Sequence, residues 1–317
     1  MKVLANDGIS QSGIDELEKA GIDISTTTVA QEQLVNYLNE NNIDVLLVRS
    51  ATKVRKDIID NCPNLKIIGR GGVGMDNIDV EYAREKGIHV INTPAASSHS
   101  VAELVFAHLY GLARYLHNAN RDMPLDGDTK FKDLKKAYAK GVELKGKTLG
   151  VLGFGRIGQA TAKVALGTGM RVIAYDPFID KANLKLDFFD GRTLDFEIET
   201  ISKDEVLKQS DFITLHVPAQ KDYVIGKPEF DLMKDGVILV NAARGGVIDE
   251  VALVKAIESG KVARAALDVF EKEPTPEIQL LMNPALSLTP HTGAATNEAQ
   301  DRIGSELASQ IISILKA

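Results

Sequence analysis

The segment from Thr148 to Asp176 constrains the fold of this chain more than any other. It opens with an apolar run, T-L-G-V-L, that is typical of a short buried strand. A helical run begins at Gln159, and a second apolar run, Arg171–Tyr175, leads directly to Asp176. Between the first strand and the helix lie three glycines in G-x-G-x-x-G spacing, Gly153, Gly155 and Gly158. Strand, glycines, helix, strand and terminal acid in this order predict a dinucleotide-binding turn.

Each glycine of the motif has its own physical role. The first permits a tight turn, the second lets a pyrophosphate approach the backbone, and the third lets the helix pack on the strand. The N–H groups at the start of the helix then face the phosphates with the positive end of the helix dipole. Asp176 lies where a carboxylate can accept hydrogen bonds from the ribose hydroxyls and would repel a 2′-phosphate. The pattern therefore predicts NAD, and not NADP, as the cofactor.

The composition is ordinary for a globular protein with two domains. The chain has 317 residues, of which 44% are hydrophobic and 26% charged. A net charge of −7 argues against a nucleic-acid or membrane partner. The single cysteine, Cys62, excludes an intrachain disulfide and a cysteine-rich metal site, and we expect no metal. Since neither a signal peptide nor a long apolar run is present, we predict a cytoplasmic location.

Predicted strands and helices alternate on both sides of the glycine motif. Before it we predict strands at Val3–Ala5, Val45–Val48, Lys66–Ile68 and His89–Ile91, and helices at Gly13–Ala20, Gln31–Asn41, Lys56–Asn61, Val80–Glu85 and Ser98–Tyr115. After it we predict strands at Phe212–His216, Val237–Asn241, Ala265–Val269 and Leu286–Leu288, and helices at Lys203–Gln209, Glu229–Leu232, Glu250–Gly260 and Asn297–Leu315. Residues 121–145 are polar and rich in lysine, which favours a loop or an exposed excursion. Such alternation predicts an α/β fold with parallel sheets.

Six segments in order carry a resemblance to a known family. They are L-L-V-R-S-A-T-K-V (46–54), G-R-G-G-V-G-M-D-N-I-D (69–79), the G-F-G-R-I-G motif, N-A-A-R-G-G-V-I-D-E (241–250), A-A-L-D-V-F-E-K-E-P (265–274) and T-P-H-T-G-A-A-T (289–296). With these segments the chain resembles the D-isomer-specific 2-hydroxyacid dehydrogenase family over nearly its whole length, and most of all its branch that oxidises D-3-phosphoglycerate.

The resemblance implies two doubly wound parallel-sheet domains. A Rossmann NAD domain, residues 98–292, would be inserted into a flavodoxin-like substrate domain made of residues 1–97 and 293–317. The hinges would lie near Ala96–Ser100 and His291–Ala294, with the active site between the domains. The resemblance also implies a homodimer formed through the NAD domain, partly on the helix after Ser98. Longer relatives append a serine-binding regulatory domain, so a chain ending at Ala317 is expected to lack such feedback.

Three residues are predicted to carry the chemistry: Arg244, Glu273 and His291. Arg244 follows a strand, at the sheet edge where ligands bind in open α/β folds, and a guanidinium there can hold a carboxylate. Histidine is the natural proton carrier near neutral pH, but the chain has six, and His99 near the first hinge is a rival. The resemblance selects His291 as acid–base, Glu273 as the carboxylate that orients its ring, and Arg244 as the substrate anchor. By contrast, we expect Glu271 to be solvated.

The resemblance extends the cofactor and substrate sites beyond these residues. For NAD it implies Gly153, Gly155, Arg156, Ile157, Gly158, Asp176, Val217, Pro218, Ala242, Ala243, Asp268, His291, Gly293 and Ala294, with Asp268 against the nicotinamide carboxamide. For substrate the predicted residues are Arg49, Ser50, Arg70, Gly71, Gly72, Val73, Arg244 and His291. Both Arg49 and Arg70 end predicted strands, and the glycine loop after Arg70 can offer successive N–H groups to a carboxylate.

The arginine pair leads to the predicted substrate. One carboxylate does not require both Arg49 and Arg70, whereas a substrate with a distal phosphate would use both. We therefore predict oxidation of D-3-phosphoglycerate to 3-phosphohydroxypyruvate, the first step of serine synthesis. Three alternatives stay open: the same fold acting on hydroxypyruvate, glyoxylate or another 2-keto acid; an NAD(H)-sensing binding protein of the corepressor type; and an NADP-dependent enzyme, which Asp176 opposes.

Overall fold

The computed structural model describes residues 1–316, which form two compact units. The first unit comprises Met1–Ser100 and the chain from Ala294 onward, and the second comprises Val101–Gly293. The predicted domain boundaries, after residues 97 and 292, lie close to this division. Residue 317, at which the predicted substrate domain ends, lies outside the described residues. Among residues 1–316, no helix combines the length and the apolar character that crossing a membrane requires.

The first unit is built on one parallel sheet with helices. Its strands are β1 (Lys2–Ala5), β2 (Asp23–Ser25), β3 (Val45–Val48), β4 (Ile67–Arg70) and β5 (His89–Asn92). Its helices are α1 (Gln11–Lys19), α2 (Leu34–Glu40) after a 3₁₀ turn at Gln31–Gln33, α3 (Lys56–Asn61), α4 (Val80–Glu85) and the C-terminal helix (Asn297–Lys316). The strand order β2-β1-β3-β4-β5 is the flavodoxin-like order 2-1-3-4-5.

Both faces of this sheet are buried because each apolar strand serves two cores. Along β3, Val45 and Leu47 face the core that contains the C-terminal helix, while Leu46 and Val48 face the core that contains α2 and α3. This alternation follows from the two-residue period of a strand, and it explains why β3 is apolar throughout. The C-terminal helix packs closely on α1, where a Cβ at Gly13 would lie 2.9 Å from the Cα of Gly304.

The second unit holds the glycine motif on a larger parallel sheet. Its strands are β6 (Thr148–Leu152), β7 (Arg171–Tyr175), β8 (Lys181–Asp187), β9 (Thr193–Glu199), β10 (Phe212–Leu215), β11 (Val237–Asn241), β12 (Val262–Leu267) and β13 (Leu286–Leu288). Its helices are α5 (Ser98–Ala113), in which the division between the units falls, α6 (Leu116–Asp126), α7 (Phe131–Ala137), α8 (Arg156–Thr168), α9 (Lys203–Gln209), α10 (Lys227–Leu232), α11 (Glu250–Glu258) and α12 (Ile278–Leu281).

The strand order of the second sheet, β7-β6-β10-β11-β12-β13, is that of a Rossmann sheet. The common order has one more strand outside β7, and here an isolated parallel bridge between Ala174 and Thr200 stands in that place. Successive residues of β11 again face two different cores, with Ile238 and Val240 on one side and Val237 and Leu239 on the other. The predicted α/β class, doubly wound in both units, is therefore confirmed.

Two stretches differ from the sequence-based expectation. Residues 121–145 were predicted as a loop or exposed excursion, yet they contain most of α6 and all of α7. These helices are exposed and show no continuous apolar stripe, which is the signal that helix prediction depends on. The antiparallel pair β8–β9, which covers α8, was not predicted at all. In addition, α8 begins at Arg156 and not at Gln159, with Gly155 as its N-cap, so the third glycine of the motif lies inside the helix.

Candidate active site

The glycine motif has the geometry that a dinucleotide requires. Gly153 has φ +90°, and a Cβ on it would lie 2.6 Å from the carbonyl oxygen of His216. A Cβ on Gly158 would lie 2.1 Å from the carbonyl oxygen of Gly153, so the third glycine does let α8 pack on β6. At Gly155, the N-cap of α8, a Cβ would meet nothing within 4 Å. The second glycine therefore faces open space at a helix N-terminus, as the approach of a pyrophosphate demands.

Asp176 lies beside this loop, directly after β7. Its Oδ2 accepts a hydrogen bond from the backbone N of Phe154 at 2.7 Å, and its Oδ1 accepts one from the N of Phe178 at 2.9 Å. These bonds orient the carboxylate toward the glycine loop and leave lone pairs for further donors, because an ionised carboxylate can accept about four hydrogen bonds. The residues present therefore fit NAD.

The other predicted cofactor residues of the second unit follow neighbouring strands of the same sheet. Val217 and Pro218 come after β10, and Val217 Cγ1 would lie 3.1 Å from a Cβ at Gly153. Ala242 and Ala243 come after β11, and both are buried. The strands β6 and β10 are adjacent and parallel, but β6 is followed by β7 on one side and β10 by β11 on the other. The glycine loop therefore lies at the topological switch point of the sheet. Ligands bind at such a point in open α/β sheets.

Arg244 lies in a turn that Asn241 organises. The Asn241 side chain accepts from the N of Ala243 at 3.0 Å and donates to the carbonyl oxygen of Arg244 at 2.9 Å. Arg244 Nη1 donates to the carbonyl oxygen of Ala243 at 2.6 Å. The next residue, Gly245, has no room for a side chain, since a Cβ there would lie 1.8 Å from the carbonyl oxygen of Phe270. The guanidinium is thus presented from a tightly constrained turn. Asn241 was not anticipated, although an amide at a strand end is a turn signal.

His291 and Glu273 form the predicted pair. Nδ1 of His291 lies 2.9 Å from Oε2 of Glu273, and both side chains are partly exposed. Because a carboxylate only accepts, Nδ1 carries the hydrogen, and Nε2 is the nitrogen free to exchange a proton. Oε1 of Glu273 accepts from the N of Phe270 at 3.0 Å, which fixes the carboxylate. His99, the rival candidate, is exposed at the start of α5.

Asp268 follows β12 and is 1% exposed. Its Oδ1 accepts from the hydroxyl of Thr289 at 2.6 Å and from the N of Thr292 at 2.8 Å. Its Oδ2 accepts from the N of Gly293 at 2.9 Å, and its carbonyl oxygen accepts from the N of His291 at 2.8 Å. The carboxylate therefore holds the loop that carries His291, and its predicted contact with the nicotinamide carboxamide stays a prediction.

A second carboxylate pair ties the Glu273 turn to α11. Oε1 of Glu250 accepts from the N of Glu271 at 2.8 Å, and Oε1 of Glu271 accepts from the N of Glu250 at 3.2 Å. Burial raises the pKa of Glu250, the hydrogen bond from the N of Glu271 partly opposes this effect, and the charge of the Glu271 carboxylate adds to it. The expectation that Glu271 is merely solvated is thus incomplete: the side chain is exposed but makes a defined contact. Sequence gives little sign of such reciprocal pairs between segments twenty residues apart.

In the first unit, Arg49 lies at the switch point between β1 and β3. Asp7, after β1, accepts from the N of Arg49 at 2.6 Å and from the N of Thr52 at 3.1 Å, while Asn77 donates to the carbonyl oxygen of Arg49 at 2.8 Å. The guanidinium of Arg49 donates through Nη2 to Oε1 of Gln300, and Gln300 donates in turn to the carbonyl oxygen of Ala294 at 2.7 Å. The predicted anion-binding arginine is therefore held in place by residues that the sequence did not point to.

Arg70 ends β4, and its loop corrects one expectation. Gly71 lies beside Arg49, whose Cγ would be 3.7 Å from a Cβ at Gly71. However, the N of Gly71 donates to the carbonyl oxygen of Val48 and the N of Gly72 to that of Arg70, both at 2.9 Å. These two amides are used within the unit, because the first extends the pairing of β4 with β3 and the second closes a local turn on Arg70. The predicted row of free N–H groups can therefore begin only at Val73. Ser50, another predicted substrate residue, is exposed next to Arg49.

Known proteins place these residues in a family. Residues 106–293 match the description "D-isomer specific 2-hydroxyacid dehydrogenase, NAD binding domain", a range that lies inside the second unit. A hydroxypyruvate reductase of Thermotoga maritima is 45% identical over 316 residues, covering 98% of this chain and 97% of that protein. A D-3-phosphoglycerate dehydrogenase of Methanocaldococcus jannaschii is 43% identical over 319 residues, covering all of this chain but 58% of that protein. This chain therefore spans little more than half the length of that relative.

A solved structure shows the same architecture. The D-lactate dehydrogenase of Aquifex aeolicus, crystallised with NAD and lactic acid, has a TM-score of 0.76 and 30% sequence identity, covering 100% of this chain and 96% of that one. The glycine motif, Asp176 and the parallel sheets agree with these likenesses, and NAD is named both in the matching family description and in the solved structure. On these grounds the chain belongs to the D-isomer-specific 2-hydroxyacid dehydrogenase family and is an NAD-dependent enzyme of that family.

Proposed function

We propose that the enzyme oxidises D-3-phosphoglycerate to 3-phosphohydroxypyruvate with NAD as the hydride acceptor. The observation that carries this proposal is the placement of two arginines at the ends of neighbouring strands. Arg49 directly follows β3, and Arg70 is the last residue of β4. The two strands pair in parallel, with Val48 opposite Arg70. Two arginines in addition to Arg244 are more than a single carboxylate needs. Guanidinium groups suit phosphate because they bind it through two parallel hydrogen bonds.

The residues of the second unit then take the following roles. Arg244 holds the substrate carboxylate and polarises the adjacent carbonyl carbon in the reverse reaction. Nε2 of His291 accepts the proton of the 2-hydroxyl group, while Glu273 keeps the hydrogen on Nδ1 and stabilises the imidazolium that forms. Bound NAD supplies the hydride chemistry itself. Its pyrophosphate would be held by Gly155 and the start of α8, with Arg156 and Ile157, and its ribose by Asp176.

A second candidate reaction is the reduction of hydroxypyruvate to glycerate. It is favoured by the Thermotoga maritima relative, which this chain matches over 97% of that protein's length. Hydroxypyruvate lacks the distal phosphate, so in this case Arg49 and Arg70 would serve the loops around them and not the substrate. Both reactions would use Arg244, Glu273 and His291 in the same way, and only the distal group separates them.

We also propose that the enzyme is a homodimer formed through the second unit. Its exposed apolar side chains include a group within one stretch of α5, α6, α7 and the following loop: Tyr110, Leu116, Met123, Leu125, Phe131 and Val142. Exposed apolar side chains that form one patch are typical of a protein–protein interface, and we propose that these six form such a patch. The dimer contact would be isologous, which means that the same surface of both subunits forms it, as in most dimers.

Initial rates with a substrate panel test the proposed reaction. The panel contains D-3-phosphoglycerate and D-glycerate with NAD, and 3-phosphohydroxypyruvate and hydroxypyruvate with NADH. One charge-assisted hydrogen bond of about 1.5–3 kcal/mol corresponds to roughly ten- to a hundredfold in kcat/KM. We therefore expect the phosphorylated member of each pair to be preferred by at least about tenfold.

Arg49→Ala separates the two candidate reactions. If Arg49 binds the phosphate, the variant loses kcat/KM on phosphorylated substrates and keeps its rate on the others. The control is Arg55→Ala, which removes a half-exposed arginine of the same segment that pairs with Asp79. Equal loss on both substrate classes, or no preference for phosphate in the parent enzyme, would leave hydroxypyruvate reduction as the better account.

A further inference from the structure

His108 is a buried titratable residue that the proposed chemistry does not use. It lies on α5 and is 5% exposed. Its Nδ1 lies 3.0 Å from Oγ of Ser287, on β13, and its Nε2 lies 3.1 Å from Oγ1 of Thr289. Desolvation by burial lowers the pKa of His108, an effect that the nearby Asp268 partly opposes. Burial therefore favours the neutral ring, and a neutral imidazole has one donor and one acceptor nitrogen.

The partners of His108 determine which nitrogen is the donor. Thr289 donates its hydroxyl hydrogen to Oδ1 of Asp268 at 2.6 Å, because an ionised carboxylate only accepts. Toward His108 the Thr289 oxygen must then accept, so Nε2 of His108 carries the hydrogen. Nδ1 is left as the acceptor for the hydroxyl of Ser287. All three hydrogen bonds therefore donate in one direction, from Ser287 through His108 and Thr289 to Asp268.

The carboxylate at the end of this chain holds the loop that carries His291. Asp268 accepts from the amides of Thr292 and Gly293 through its side chain, and from the amide of His291 through its carbonyl oxygen. His291 itself has φ +55°, a left-handed conformation that non-glycine residues rarely adopt without support. α5 reaches the same loop a second time, since Val101 Cγ2 would lie 3.3 Å from a Cβ at Gly293.

We propose that His108 is a positioning residue for His291, acting through Thr289 and Asp268. It satisfies the Thr289 oxygen and polarises that hydroxyl toward Asp268, which steadies a buried negative charge that would otherwise have fewer donors. The charge in turn keeps the amides of residues 291–293 in one arrangement, so that the His291 ring meets Glu273. This inference rests on the proposed function in that it takes His291 as the acid–base residue.

Paired variants of His108 test the proposal. His108→Leu fills the space but cannot hydrogen-bond, whereas His108→Gln can accept from Ser287 and donate to Thr289. We expect His108→Leu to lower kcat about tenfold with little change in KM for NAD, because the defect lies in the placement of the acid–base group. His108→Gln should recover most of this loss. His117→Leu is the control, since it removes a neighbouring half-buried histidine that contacts the carbonyl oxygen of Pro284.

Hydrogen exchange of the peptide spanning residues 289–293 gives a readout that needs no substrate. The amides of His291, Thr292 and Gly293 should exchange about tenfold faster in His108→Leu than in His108→Gln or His117→Leu. Thr289→Val breaks the same chain one step further on. Combined with His108→Leu it should add little further loss of kcat, as expected for two residues that act through one path.

Equal behaviour of His108→Leu and His108→Gln in both assays would overturn the proposal, as would full additivity with Thr289→Val. If the parent enzyme turned over no hydroxy acid, the exchange measurement would still decide. Faster exchange confined to the Leu variant would then support the positioning role, and only the proposed function would fall.

Discussion

At the residue scale, the carboxylates around the His291 loop differ in what they do. Glu273 contacts the ring, Asp268 holds the loop, and Glu250 with Glu271 ties the Glu273 turn to α11. Sequence could suggest Glu273 only through the resemblance, because E-K-E-P offers two glutamates of the same type. It could not assign Glu250 or His108, whose partners lie far along the chain. These contacts depend on the tertiary arrangement and leave no local pattern.

Glu250 makes the stability of the protein depend on pH. Burial raises its pKa above the ordinary value of 4.5, and the charges of Glu271, Glu277 and Glu273 add to this effect, while the hydrogen bond from the N of Glu271 only partly opposes it. The folded state therefore favours the protonated form, and the stability that this confers is full at low pH and is lost as the pH rises through the raised pKa. Glu250→Gln keeps an acceptor for the N of Glu271 and removes the charge.

We expect Glu250→Gln to raise the melting temperature at neutral pH, with the gain vanishing near about pH 4, where glutamate itself becomes protonated. Thermal melts of both proteins across this range measure the difference. Glu258→Gln, at the exposed end of the same helix, is the control and should show no such trend. A lower melting temperature for Glu250→Gln at neutral pH would mean that the charged form is the stabilising one.

At the element scale, the buried parallel strands and the helices between them could be read from sequence. The predicted bounds hold for β3, β6, β7, β11, β13, α3, α4 and α9, because apolar runs between turn residues have few other interpretations. The pair β8–β9 was missed although its residues alternate in character, with Leu184 and Leu186 facing inward between polar or charged neighbours. No element was predicted for this stretch, because the alternation is short and its outer residues are exposed.

Two glycines of the motif, Gly155 and Gly158, should give separable defects when each is replaced by alanine. Gly158→Ala forces a Cβ to within 2.1 Å of the Gly153 carbonyl oxygen, so it should lower both the melting temperature and NAD affinity. Gly155→Ala meets no protein atom within 4 Å, so it should leave the melting temperature unchanged and weaken NAD binding by closing the pyrophosphate approach. Melting curves with and without NAD, together with NADH fluorescence titration, distinguish the two.

The matched control is Gly167→Ala on the same helix, where a Cβ would also meet nothing within 4 Å. Here alanine should stabilise the helix by about 0.5–1 kcal/mol and leave NAD binding unaltered. Intact NAD affinity in Gly155→Ala would show that the open space at that glycine is not where the pyrophosphate binds.

At the scale of the whole molecule, each unit is a doubly wound sheet with its own cores. The alternation of strands and helices is enough to predict this architecture, because parallel strands need crossover connections and those connections cover both faces. The exposed helices α6 and α7 were not predicted, because they bury little within the unit and so lack the apolar pattern that reveals a helix. Their apolar residues instead lie on the surface that we propose for dimerisation.

Replacing Leu125, an exposed residue of α6, tests this surface. Leu125→Asp should convert the dimer to a monomer in sedimentation experiments, because a carboxylate buried at an interface loses its hydration without gaining a partner. Phe189→Asp is the control: Phe189 is fully exposed but lies in the β8–β9 turn, and its replacement should leave the dimer intact. A parent protein that sediments as a monomer would contradict the proposed assembly.

The rate of NADH formation from D-3-phosphoglycerate, in the parent enzyme and in His291→Asn, tests the central claim most directly. Loss of general acid–base catalysis predicts a kcat lower by about a hundred- to ten-thousandfold in the variant. NADH affinity, measured by fluorescence, should stay close to that of the parent. Near-full activity in His291→Asn would contradict the assignment of His291 as the acid–base residue. Equal rates of the parent enzyme with the L-enantiomer would contradict its assignment to D-hydroxy acids.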